Sequence, residues 1–304
     1  MMSNLKFDKQ TIPDLAERVV LVTGGTGGIG AEIVVELAKH HPGRIIFTGR
    51  NAQSAEATIK RVQTAAPGVG VCFVPCDLAS LASVKDAANK ILSENSRLDL
   101  FPANAGIMAK PAGLSVDGYE IHFATNHLGH ALLTQKLLPL LEKTADIPYT
   151  DVRIIYTTST AWRGGSLAFD KLKTPMESVI GRWIRYGNSK LANLMYAREL
   201  ARRYPKLLSF SVTPGVVGTS LVTDLKFSDR MFVWVSQMGK ILTPEQGTFN
   251  HLWAISTPRS SIKQGAFYEP VGQLDTKDNS NSKNPKLGPE LWEWTEKELE
   301  RWMD

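Results

Sequence analysis

Tyr186 and Lys190 stand four apart in the run Tyr186-Gly187-Asn188-Ser189-Lys190. On a helix that spacing places both side chains on one face. A tyrosine titrates at about 10 and exchanges protons near neutrality only if its phenolate is stabilised, which an adjacent ammonium does. Delivering a hydride to a carbonyl carbon leaves an oxygen that needs such an acid. A chance surface pair has the same spacing, so the pair carries weight only with the stretches that surround it.

The decisive stretch is Arg18-Val19-Val20-Leu21-Val22-Thr23-Gly24-Gly25-Thr26-Gly27-Gly28-Ile29-Gly30. Four consecutive apolar residues read as a strand buried on both faces. The apolar-periodic run from Ile29 through Ile33, Val34 and Leu37 to Ala38 reads as a helix. Glycines between them allow a tight turn and let a pyrophosphate approach the helix N-terminus, where N–H groups and the helix dipole favour an anion. An NAD-preferring fold carries an acidic residue about 20 positions further on to grip the ribose hydroxyl. Between Glu36 and Glu56 this chain has no carboxylate, and Gly49-Arg50 follows the second apolar run. A guanidinium there suits a 2′-phosphate through forked hydrogen bonds, so NADP(H) is the expected cofactor.

The elements that must position these groups alternate. Strands are expected over 19–22, 44–49, up to Asp77, 98–101, 152–157 and 209–213. Helices are expected over 29–38, 54–64, 84–92, 118–141 and 186–203. Alternation over some 200 residues implies an α/β fold with a Rossmann-type, doubly wound parallel sheet. One domain is expected over 1–304, with a core over about 13–256 and a C-terminal extension over about 270–304. In that extension Trp292, Trp294 and Trp302 suggest a helix packing its apolar face on the body.

Composition bounds the rest. The 304 residues carry a net charge of +5 spread along the chain, with no nucleic-acid footprint. No transmembrane-length apolar run and no signal-peptide core are present, so a cytoplasmic protein without stable membrane insertion is expected. Cys72 and Cys76 read as buried thiols, and no metal site is expected, since His122, His127 and His130 lack a completing ligand set.

Five motifs in order resemble the short-chain dehydrogenase/reductase family in its single-domain branch. They are Thr23-Gly24-x3-Gly28-x-Gly30, Asn104-Ala105-Gly106, Asn126, Ser159 and Tyr186-x3-Lys190, followed by Pro214-Gly215-x3-Thr219. The surroundings Asn126-His127-Leu128-Gly129-His130 are similar to the retinol-dehydrogenase-like and fungal reductases of that family. The resemblance implies Tyr186 as general acid or base, with Lys190 lowering its pKa and binding the nicotinamide ribose. It also implies Ser159 on the substrate oxygen and Asn126 holding a water in a proton relay. On the cofactor it implies Thr23, Gly24, Thr26, Gly28, Ile29 and Gly30 at the phosphates, and Arg50 with Asn51 at the ribose phosphate. Asp77 and Leu78 would lie at the adenine, where Asp77 has helix capping as its alternative. Asn104, Ala105 and Gly106 would lie along the central strands, and Pro214, Gly215, Val217 and Thr219 beyond the sixth strand. Two departures from the family pattern remove no catalytic atom: Ala103 replaces a second asparagine, and Tyr156-Thr157-Thr158 precedes Ser159. Pairing as a homodimer or homotetramer, through the helices from about 118 and 186, is also implied.

The stretch over about 216–245 carries Leu221, Met231, Phe232, Val233, Trp234, Val235, Met238 and Leu242. At the carboxyl ends of the strands such a stretch caps a substrate, and its composition favours a bulky apolar one. The expected activity is therefore hydride transfer between NADP(H) and a hydrophobic ketone, aldehyde or secondary alcohol. Alternatives are a non-catalytic NADP(H) sensor and an epimerase or dehydratase of the extended branch.

Overall fold

The protein is described by a computed structural model covering residues 5–177, 181–223, 225, 229–231, 234 and 241–304. Phe232, Val233, Val235 and Met238 of the expected apolar cap lie outside these residues.

Strands β1 (Val19–Thr23), β4 (Leu100–Ala103), β5 (Arg153–Thr157) and β6 (Leu208–Val212) are buried along their whole lengths. The apolar run of β1 demands this environment, and β6 buries Ser209 and Ser211 in it as well. With β2 (Arg44–Gly49), β3 (Val71–Pro75), β7 (Phe267–Glu269) and β8 (Gln273–Leu274) they form one sheet in the order β3-β2-β1-β4-β5-β6-β7-β8. All pairings are parallel except β7 with β8. Helices α1 (Gly28–Ala38), α2 (Ala52–Ala65) and α6 (Pro244–Ser256) cover one face. Helices α3 (Leu81–Glu94), α4 (Gly129–Ala145) and α5 (Gly181–Arg203) cover the other. Strand order reverses between β1 and β4, which opens a crevice at the carboxyl ends of the strands. Strands β7 and β8, of three and two residues, gave too short a pattern to be expected from sequence.

The helix expected over 118–141 is not continuous. One turn (Ile121–Phe123) passes through a π turn (Ala124–Leu128) into α4. The widened turn carries Asn126, and such bulges cluster at functional sites. Periodicity alone could not show it, because the insertion leaves every side chain in the run apolar or tucked inward.

A further helix, α7 (Leu287–Leu299), lies on α5. Trp292, 1% exposed, stacks on Tyr196 at 4.8 Å, while Trp294 sits edge-on to Phe123 at 5.7 Å. His127 Nε2 lies 3.3 Å from Thr295 Oγ1. The first ten residues of α4 are all buried, as are residues 185–197 of α5. Exposed surface remains on α4 at Pro139, Glu142 and Lys143 and on α5 at Ile184, Arg202 and Arg203. Among the described residues no helix is long and apolar enough to cross a membrane.

Of the four fully buried histidines, His127, His130 and His251 have pKa values that burial pushes down to about 3, 4 and 4. The folded state therefore binds fewer protons than the unfolded chain, where histidine titrates at about 6.5. Stability is full above that value and declines as pH falls toward 4, by up to about 1.4 kcal/mol per pH unit for each histidine. Denaturant midpoints should fall steeply between pH 7 and 5. A flat profile would show that these rings are not held neutral.

Candidate functional site

The phosphate turn follows from β1. Gly24 and Gly28 adopt φ of +71° and +53°, which L side chains rarely accept. A Cβ on Gly30 would strike the Gly24 carbonyl at 2.3 Å, so helix and turn touch only because both are glycine. Gly27, the N-cap of α1, makes no side-chain capping bond, and a Cβ built there meets nothing within 4 Å. The helix N-terminus thus faces open space with its amides uncovered by a side chain, as an anionic phosphate requires.

Across the crevice, α5 docks on the end of β5. Lys190 Nζ donates to the Thr157 carbonyl at 3.0 Å, and Thr158 Oγ1 donates to the Lys190 carbonyl at 2.8 Å. The ammonium stands 5.6 Å from the centre of the Tyr186 ring, and Ser159 Oγ accepts from the Ala161 amide at 3.3 Å. Asn126 Oδ1 accepts from the Ile107 amide at 2.7 Å, and its Nδ2 donates to the Ile107 carbonyl (3.0 Å) and to Ser189 Oγ (2.9 Å). A Cβ on Gly106 would lie 3.1 Å from Asn126 Oδ1 and 3.4 Å from Lys190 Nζ.

All the expected site residues line one cleft of about 720 Å³, except Thr23, Asn51 and Asn126. Thr23 is completely buried; its hydroxyl accepts from the Ala105 amide at 3.0 Å and contacts His130 Nε2 at 2.8 Å. It braces the strand ends rather than reaching a ligand. Asn51 caps α2 by accepting from the Ser54 amide at 2.8 Å. Asn126 has no exposed surface, its side chain is taken by Ile107 and Ser189, and its carbonyl lies 3.0 Å from His130 Nδ1. Asp77 lines the cleft, and its carboxylate accepts from the Ala79 amide at 3.0 Å; the cap of α3, its expected alternative role, falls to Ser80 instead. Arg50 is exposed at the cleft edge and pairs with no carboxylate among the described residues.

Sequence reasoning missed the far wall: Ile107, Met108, Thr125, Trp183 and Ile184. Trp183 was within reach, since it stands three residues before Tyr186 on the same helix. Ile107 and Met108 lie on a loop with no periodicity to reveal them.

Burial pushes the Tyr186 phenol up to about 12, and Ser159 acts in the other direction. Burial also pulls Lys190 down to about 7. The ammonium points at a carbonyl rather than at the phenol oxygen, so desolvation outweighs attraction for both groups. In this state Tyr186 is a neutral donor at neutral pH.

The chain was compared with known proteins. The family model for short chain dehydrogenase matches residues 18–169. A short-chain dehydrogenase/reductase of Aspergillus calidoustus, drtF, is 32% identical, covering 95% of this chain and 96% of its own. Human retinol dehydrogenase 11 is also 32% identical, covering 92% of this chain and 85% of its own. A crystal structure of an uncharacterized protein from Mycobacterium paratuberculosis covers 97% of both chains with a TM-score of 0.73 and 28% identity.

An ammonium with a pKa of about 7 holds its charge below that pH and loses it above. Affinity for an anionic dinucleotide should therefore weaken as pH rises through about 7, and Lys190→Met should abolish the dependence. Fluorescence titration with NADPH from pH 6 to 9 measures this, and a pH-independent Kd in the unmodified protein would contradict it.

Proposed function

The chain belongs to the short-chain dehydrogenase/reductase family, and on that premise we propose that it transfers a hydride between NADP(H) and a hydrophobic ketone, aldehyde or secondary alcohol. The observation that carries this is the Tyr186 ring beside Lys190, in a cleft that they share with Ser159 and the uncapped start of α1.

The residues present fit a nicotinamide dinucleotide phosphate. The turn over 24–30 and the amides opening α1 would hold the pyrophosphate, and Arg50 the 2′-phosphate. Asp77 and Leu78 would hold the adenine, residues 104–106 the middle of the cofactor, and Pro214, Gly215, Val217 and Thr219 the nicotinamide end. Gly28 and Thr219 face each other there: a Cβ on the glycine would lie 3.3 Å from the threonine methyl. When bound, the nicotinamide supplies or accepts the hydride.

The chain's own groups handle the rest. Ser159 Oγ orients the substrate oxygen, and Tyr186 Oη gives that oxygen its proton in reduction or removes it in oxidation. Lys190, when charged, makes phenolate formation easier. Met108, Trp183, Ile184, Leu221 and Val222 form an apolar wall, which supports a hydrophobic substrate over a small polar one.

NADPH oxidation against a panel of hydrophobic ketones, quinones and aldehydes tests the reading. Tyr186→Phe should lose about 10²- to 10⁴-fold in kcat and keep its NADPH affinity. NADPH binding without turnover on any member of the panel would favour a sensor. Arg50→Ala should raise the KM for NADPH about 10- to 100-fold, the range for loss of a charge-assisted hydrogen bond, and leave that for NADH unchanged.

A further inference from the structure

Three charged or titratable side chains outside the catalytic group are almost wholly buried together: Glu120 at 1% exposure, His122 at 0% and Arg185 at 3%. Glu120 Oε1 lies 2.7 Å from His122 Nδ1 and forms an ion pair with Arg185 Nε at 3.3 Å. Its other oxygen accepts from the Phe123 amide at 2.8 Å. The remaining valences point at one residue. The Lys110 amide donates to His122 Nε2 at 3.0 Å, and Arg185 donates to the Lys110 carbonyl at 3.1 Å. A backbone amide can only donate, so His122 Nε2 is the acceptor and its proton sits on Nδ1, aimed at Glu120.

Backbone strain lies where this network grips. Ala109, just before Lys110, has φ of +52°, and Met176, whose carbonyl accepts from Arg185 at 3.0 Å, has φ of +50°. Non-glycine residues hold such conformations only where their surroundings over-determine them. One guanidinium thus ties down both strained points. Lys110 lies two residues beyond Met108 of the cleft wall, and Arg185 is the residue before Tyr186.

We propose that Glu120, His122 and Arg185 are positioning residues that clamp the Lys110 peptide and so fix the Ile107–Met108 wall of the cleft against the catalytic helix. The clamp gives that wall one shape, and its loss weakens capture of the carbonyl substrate more than it slows the chemistry. The proposal rests on the reductase reading for its kinetic arm only.

Two conservative variants separate the clamp from simple satisfaction of Glu120. His122→Gln can keep an acceptor near Nε2 for the Lys110 amide and gives up the contact to Glu120. His122→Asn keeps a donor near Nδ1 for Glu120 and cannot reach Lys110. Amide hydrogen exchange at Lys110 should be slow in the unmodified protein and in His122→Gln, and about tenfold faster in His122→Asn, the value of roughly one hydrogen bond. Exchange equally fast in both variants, or faster in His122→Gln, would overturn the clamp. In steady state, His122→Asn should raise the ketone KM about tenfold with kcat changed less than about twofold and the NADPH Kd unmoved. Arg185→Lys, which keeps the charge beside Glu120 and cannot reach both carbonyls, should raise KM in the same way. Altered exchange with an unmoved KM would overturn the link to the cleft wall. Absence of turnover in the unmodified protein would instead count against the reductase reading and leave the exchange result to decide the clamp.

Discussion

The contact on which the site depends is the seating of α5 across the end of β5. The Thr157 carbonyl receives both Lys190 Nζ and Asn193 Nδ2, at 3.0 and 3.2 Å, and Thr158 returns a bond to the Lys190 carbonyl. These bonds set the height of the helix on the sheet, and with it the place of Tyr186. Close backbone approach makes the seating possible: a Cβ on Gly187 would lie 2.8 Å from the Ala161 carbonyl, and one on Gly165 would lie 2.5 Å from the Gly187 carbonyl. Glycine at both positions lets the turn that follows Ser159 press against the catalytic helix. Ser159 and Tyr186 meet because two peptide chains can approach without side chains between them.

Seating the helix this deeply has an electrostatic consequence. Burial raises the phenol and lowers the ammonium, so each group is driven toward its neutral form. A site in this condition is poised for an anion: negative charge in the cleft would favour the protonated lysine, and the protonated lysine would then favour phenolate. Cofactor binding and acid–base competence are in this way properties of one buried pair. The neighbouring histidines obey the same rule. His130 is neutral, so the Nδ1 that meets the Asn126 carbonyl carries its proton and Nε2 accepts from Thr23. A chain of hydrogen bonds then runs from the Ala105 amide through Thr23 and His130 to the π turn.

The C-terminal helix completes the face that α4 and α5 begin. Tyr196, Trp292, Trp294 and Phe123 interlock through stacked and edge-on contacts, a geometry that favours one arrangement over a loose apolar collapse. Arg203 lies over the Trp292 ring at 4.7 Å, so the rim of this aromatic cluster is closed by a cation. The extension is an integral wall of the molecule, packed on the helix that bears Tyr186 and Lys190.

The doubly wound sheet was legible because parallel strands buried on both faces must be written as unbroken apolar runs, and the phosphate turn because close approach admits only glycine. Tyr186 and Lys190 were legible because a four-residue spacing puts both on one helix face and the motifs around them gave that pair weight. Other features depend on neighbours remote in the chain and leave no local pattern. The π turn beneath Asn126, the inward brace of Thr23, the capping role of Asn51 and the wall formed by Ile107 and Met108 are of this kind. The pKa values belong here too, because spacing predicts that an ammonium is near and says nothing of how deeply it is buried. Local chemistry and periodicity therefore determined the fold and the reacting groups. Tertiary packing alone decided the charge those groups hold, which faces stay open and what shape of molecule the cleft admits, because desolvation and surface closure depend on every chain segment that happens to lie across the site.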